Sequence, residues 1–126
     1  MIFAFDLDNT VCERKRGSMT YADVQPFPDA VETIKWLKDS GHTIILHTGR
    51  HMKTCEGNQG KVFGKQGKIL FDWLEKHQIP YDEIWCSKPH ADLFIDDAVH
   101  CHTDWESSIQ AIKDRLAKGE RTPENP

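Results

Sequence analysis

Short apolar runs that stop at polar residues alternate with stretches of helical spacing, and this alternation is the strongest constraint on how the chain can fold. Ile2 to Phe5 is apolar and stops at Asp6; Thr43 to Leu46 stops at His47-Thr48-Gly49-Arg50. Further short strands are expected around Glu83 to Cys86 and Leu93 to Ile95. Between the first two runs, Val31, Ile34 and Leu37 recur at helical spacing from Pro28, with Gly41 as a C-terminal cap. A second helix places Ile69, Leu70, Trp73, Leu74 and His77 on one face, and a third aligns Trp105, Ile109, Ile112 and Leu116. Residues 9–26 read as a loop or small hairpin. Residues 51–67, with four glycines and several lysines, read as an irregular surface loop. Parallel strands need crossover connections, so the pattern predicts an α/β fold: a Rossmann-like three-layer sandwich with a mainly parallel sheet.

At 126 residues the chain is expected to form one domain, 1–118, followed by a flexible tail, 119–126. Hydrophobic residues at 38% and charged residues at 29% exclude a disordered chain, and a net charge of −4 gives no general affinity for nucleic acid or anionic membranes. No apolar run approaches the ~20 residues of a membrane span. The N-terminal run lacks a basic region and a cleavage site, so it reads as a strand and not a signal peptide. The widely spaced Cys12, Cys55, Cys86 and Cys101 form no C-x-x-C pair, so reduced thiols and a cytoplasmic location are expected. The four tryptophans fall mostly on apolar faces, where core packing is expected.

In parallel sheets, reactive groups gather beyond the carboxyl ends of the strands. Asp6, Thr48, Lys88 and Asp96-Asp97 all fall at or just after expected strand ends. Asp6 and Asp8, two apart on an extended segment, face the same way, and two such carboxylates repel unless a cation or a shared proton intervenes. A hard divalent cation such as Mg²⁺ suits them. The plain alternative is a solvated acidic turn. Asp96-Asp97 repeats the arrangement after Leu93-Phe94-Ile95, and one of the pair, Asp96 by preference, is expected to bind metal directly. Thr48 offers a hydroxyl, Gly49 lets a backbone N–H approach an anion, and Lys88 would offset the charge that Asp6 and a phosphoryl group bring together.

The series D-L-D-N-T, then h-h-h-T-G, then K-P, then h-I-D-D resembles the four motifs of the haloacid dehalogenase superfamily, in order from residue 2 to residue 97. Thr48-Gly49-Arg50, Met52, Glu56-Gly57-Asn58, Trp73-Leu74, Pro80 to Glu83 and Ile95 to Asp97 are similar to a small bacterial group associated with capsule and surface-polysaccharide biosynthesis phosphatases. The resemblance implies a Mg²⁺-dependent phosphatase acting on a small phosphorylated metabolite, such as a sugar phosphate. It assigns Asp6 as nucleophile, Asp8 as general acid and base, and Thr48 and Lys88 as phosphate contacts. Asp6, Asp8, Asp96 and Asp97 form the expected metal set, and Asn9, Thr48, Gly49, Arg50 and Lys88 the expected substrate set. The intervals between motifs are too short for a cap domain. Instead, residues 51–67, with Lys53, Lys61 and Lys65, are expected to form a partial lid together with residues 11–24.

Two other classes stay open: a non-catalytic Mg²⁺- or polyanion-binding module of the same fold, and a phosphoprotein or nucleic-acid-end phosphatase, whose broad basic groove the acidic balance does not suggest. A homo-oligomer is compatible with the sequence. Structural zinc is not expected, because Cys55 and Cys86 belong to no ligand cluster. His47 and His51, and His100-Cys101-His102, lack the spacing of a zinc site. Arg14, Lys15 and Arg16 form either a solvated turn or a contact for an anionic substrate.

Overall fold

A computed structural model describes residues 1–120. Strands β1 (Ile2–Asp6), β2 (Thr43–His47) and β3 (Glu83–Trp85) alternate with helices α1 (Pro28–Asp39) and α2 (Gln59–Lys76), and α3 (Trp105–Lys118) follows. The strands form one parallel sheet in the order β1-β2-β3, with Phe3 opposite Ile44, Phe5 opposite Leu46 and Asp6 opposite His47. Both crossovers are the expected helices. No described helix is long and apolar enough to cross a membrane.

α1 begins at Pro28, whose fixed φ suits the first helical turn. It ends where Gly41, at φ +89°, turns the chain: the His42 amide donates to the Leu37 carbonyl and the Gly41 amide to that of Lys38. That pair of bonds satisfies carbonyls the helix end would leave open. α3 starts at Asp104, whose carboxylate accepts the Ser107 N–H at 2.7 Å. Of the tail expected at 119–126, Gly119 caps α3 and residues 121–126 lie outside the described residues.

The core lies against one face of the sheet. Phe5, Ile44 and Leu46 pack there with Ile34 and Leu37 of α1, Leu70, Trp73 and Leu74 of α2, and Trp105 and Ile112 of α3. The opposite face carries Ile2 and Trp85, 69% and 54% exposed, together with Ala4 and Ile45. No second helical layer covers it among the described residues. The parallel α/β expectation therefore holds, consistent with a Rossmann-like arrangement, whereas a three-layer sandwich is not seen.

Three local expectations need correction. Residues 59–67 belong to α2, which begins after Asn58, whose side chain accepts the Lys61 N–H at 3.0 Å. Gly60, Gly64 and Gly67, each costing a helix about 1 kcal/mol relative to Ala, disguised this first half; burial of Val62, Gln66 and Leu70 overrides them. Leu93–Ile95 forms no strand and is exposed. Among the tryptophans, Trp73 and Trp105 are buried but Trp36 and Trp85 are exposed. The buried indoles anchor the loop after β1, donating to the carbonyls of Val24 (2.8 Å) and Thr10 (2.9 Å).

Candidate active site

Asp6 is the last residue of β1, so its carboxylate leaves the sheet at the carboxyl end, where the neighbouring strand passes into Thr48 and Gly49. Leu7, fully buried, pins the chain between Asp6 and Asp8. Beyond Asp8 the backbone curls back: the amides of Thr10, Val11 and Cys12 all donate to the Leu7 carbonyl at 2.9–3.1 Å. Asn9, expected among the substrate contacts, serves this turn. It adopts φ +62°, a left-handed conformation that asparagine tolerates better than most residues, and its amide donates to the Cys12 carbonyl.

Lys88 comes to Asp6, Nζ to Oδ2 3.4 Å, with both side chains partly open to solvent. Its backbone is fixed from below by the Lys88 amide, which donates to the Thr48 carbonyl at 3.2 Å. Gly49 makes that approach feasible. A Cβ there would stand 3.0 Å from the Lys88 carbonyl oxygen, so the glycine is needed for packing. Thr48 is buried, and its hydroxyl accepts the Arg50 N–H at 3.1 Å, leaving the O–H proton for another acceptor.

Arg50 was expected to meet the substrate; its guanidinium instead grips Asp8. Nε donates to Oδ2 at 2.9 Å and Nη2 to Oδ1 at 2.8 Å, with the Arg50 side chain 1% exposed and that of Asp8 28%. The guanidinium also lies 4.2 Å from the centre of the Tyr21 ring. Burial opposes the charge on Arg50, but the bonds and attraction from Asp8 outweigh it and hold the guanidinium pKa above its usual range. Cys12 lies beneath this pair. Burial first, and Asp8 second, push its thiol up to about 12, so it is no nucleophile. Neither the Asp8–Arg50 clamp nor Tyr21 was foreseen, and a lone tyrosine in a polar loop carries no local signal of such a role.

Of these groups Asp6, Asp8, Tyr21, Gly49, Arg50 and Lys88 line a cleft of about 510 Å³, whereas Asn9 and the buried Thr48, both expected at the substrate, do not. Asp6 and Asp8 face five cationic residues there, Arg14, Lys15, Arg50, Lys53 and Lys88, so the cleft is positive within a chain of net charge −4. The run at Arg14 and Lys15 thus borders the cleft, and Lys53 joins it. The other lysines of the expected lid, Lys61 and Lys65, are on the first turns of α2 and do not line the cleft. Of the two segments expected to form a partial lid, His51, Lys53 and Thr54 and Arg14, Lys15 and Tyr21 line the cleft, whereas 59–67 is helix and does not. Burial, and next the Lys88 charge, keep the His47 pKa below its ordinary value, so His47 stays neutral beside the cleft at neutral pH. A second concavity of similar volume, lined by Phe71, Leu74, Pro80 and Tyr81, has Glu75 as its one charged group and no converging polar set.

Asp96 and Asp97 are not brought to this cleft. They sit in the exposed segment after Lys88, with the Asp97 amide donating to Asp96 Oδ1 at 2.7 Å. Among the described residues no three His, Cys, Asp or Glu side chains gather as a metal-ligand set. Asp6 and Asp8 remain as hard oxygen donors, and Mg²⁺ is commonly held by one or two carboxylates with waters and phosphate oxygens. Of the four carboxylates expected to hold metal, Asp6 and Asp8 line the cleft and Asp96 and Asp97 do not.

A small α/β protein with an acidic pair inside a cationic cleft, at the carboxyl ends of parallel strands, is the class that fold and site define. No protein-family model and no curated protein matches the sequence. A crystal structure of a structural-genomics target from Vibrio cholerae is similar: 31% identical, covering 90% of this chain and 97% of that one, with a TM-score of 0.74. The chain belongs to the same family as that protein.

Proposed function

We propose that the chain is a Mg²⁺-dependent phosphatase in which Asp6 attacks the phosphoryl group and forms an aspartyl-phosphate. The observation that carries this reading is the Asp6–Lys88 pair at 3.4 Å in a cleft whose cations outnumber its carboxylates. A carboxylate approaching a phosphate dianion meets repulsion, and fixed positive groups reduce it where charge gathers in the transition state. Lys88 serves that purpose at Asp6. Thr48, 1% exposed and outside the cleft lining, holds the Arg50 amide through its hydroxyl and so helps to place Arg50. Asp8 protonates the departing alkoxide and afterwards takes the proton from the water that cleaves the acyl-phosphate. Both Asp8 oxygens accept from Arg50 in the resting arrangement. The acid step needs this side chain to turn towards the leaving group carrying the proton that it took from water in the preceding turnover, whereas the base step needs only a lone pair. Arg50 is thus a positioning residue.

Asp6 is the carboxylate that would hold Mg²⁺, because both Asp8 oxygens are engaged by Arg50 and Asp8 serves as acid and base; the ion would supply charge neutralisation at the phosphoryl oxygens. The cleft volume falls within the roughly 300–1,000 Å³ usual for small-molecule sites and favours a small phosphorylated metabolite. A sugar phosphate of surface-polysaccharide biosynthesis rests on the motif resemblance alone.

The test is hydrolysis of p-nitrophenyl phosphate by wild type and Asp6→Asn, with Mg²⁺ and with excess chelator. Turnover should need Mg²⁺ and fall by at least about 10³-fold in Asp6→Asn, as expected for a lost nucleophile. Chelator-resistant turnover, or an Asp6→Asn variant near wild-type rate, would refute the reading.

A further inference from the structure

The segment between Lys88 and α3 is where pattern and position disagree. Leu93, Phe94 and Ile95 are an apolar, strand-like triplet, yet they are 75%, 46% and 92% exposed. Meanwhile β1 pairs only with β2, so its other edge has no strand among the described residues, and Ile2 on that edge is exposed. Parallel sheets normally have their strands covered, and an open apolar edge is a template for another strand. The chain thus displays an exposed strand-like segment, with the Phe94 ring 4.9 Å from the Lys88 ammonium, and an open sheet edge.

Joining them within one chain is blocked by length. Asp96 and Asp97 would come beside Asp6 only if the triplet lay parallel to β1. Trp85 ends β3, and the seven residues 86–92 would have to return from the carboxyl to the amino end of the sheet and pass around β1. A parallel crossover takes about a dozen residues or more. The first three of the seven are also held at the carboxyl end, because the Lys88 amide is bonded to Thr48 and its ammonium to Asp6. An antiparallel approach would send both aspartates to the amino end of β1, away from Asp6.

We propose that two copies of the chain exchange residues 89–101, each laying Leu93–Ile95 parallel on the open edge of the other's β1, so that Asp96 and Asp97 of one copy complete the acidic site built on Asp6 of the other. The occupant of the edge is a second copy because the edge and the segment that fits it are on the same chain. Two-fold exchange then satisfies both at once and closes without free edges at the join. Exchange covers Ile2 and the triplet, and adds the carboxylates that the single chain does not bring together. The exchange itself is independent of the phosphatase reading; only the role given to the exchanged aspartates rests on it.

Light scattering of the wild-type chain should give twice the mass of one 14.5 kDa chain. Ile95→Lys should return it to the single-chain mass with its circular dichroism retained, since this side chain touches little within its own copy. A wild-type monomer at tens of micromolar, or an Ile95→Lys variant that keeps the doubled mass, would overturn the exchange. For the site, Asp6→Asn chains are refolded together with Asp96→Asn/Asp97→Asn chains, each inactive alone. Random pairing makes half the dimers mixed, each with one complete site, so activity should recover to roughly a quarter of wild type. No recovery from an active wild type would overturn the shared site. A doubled mass reduced by Ile95→Lys, in a wild type inactive on every phosphoester, would support the exchange and refute the phosphatase reading instead.

Discussion

Replacing Arg50 by methionine tests the clamp on Asp8, the interaction that most clearly organises the cleft. Two charge-assisted hydrogen bonds are lost, at 2.9 and 2.8 Å, along with the contact 4.2 Å from the Tyr21 ring. Removing one member of a buried ion pair costs about 3–5 kcal/mol, chiefly because the other charge is left desolvated. The Asp8 side chain is 28% exposed, so water can take over part of its bonding, and the loss should lie at the low end, about 3 kcal/mol. For a chain of this length that is a fall in melting temperature of roughly 10 °C. Urea denaturation of wild type, Arg50→Met, Asp8→Asn and the double variant gives the pair term directly. The double variant should be little worse than Arg50→Met, for a coupling of about 1.5–3 kcal/mol. Losses that add to within about 0.5 kcal/mol would show that the two side chains do not depend on one another, and the clamp would fail.

Gln66 is buried in α2 with both side-chain amide atoms lacking a protein partner, so Gln66→Leu should raise stability by about 1–2 kcal/mol; a lower melting temperature would refute this. Gly49→Ala should cost about 1–3 kcal/mol by pushing a Cβ against the Lys88 carbonyl, and should slow turnover by moving Lys88; unchanged stability would show that the close approach is absent. His47, His51, His77 and His102 are all held below the ordinary value of 6.5, chiefly by burial. Just below pH 6.5 the unfolded chain therefore binds more protons than the folded one. Their contribution is complete above that pH and is lost as pH falls, so the urea midpoint should drop from pH 8 to pH 5.5. A midpoint that stays flat or rises over that range would contradict it.

β1, β2 and α1 were legible because their signals are local: an apolar run ended by a charge, a proline at a helix start, a glycine where φ must turn positive. The positions of Asp6, Asp8 and Thr48 at the carboxyl ends of strands follow from the same reading. The start of α2 was hidden because Gly60, Gly64 and Gly67 oppose a helix locally, and burial of the face between them decides the matter. The partner of Asp8 stands 42 residues away, and no periodicity records that distance; the packing of the β1 loop against the end of β2 creates the pair. Leu93–Ile95 is the converse case. Its residues favour a strand, but a strand exists only when an edge receives it, and seven residues after β3 are too few to reach the free edge of its own sheet.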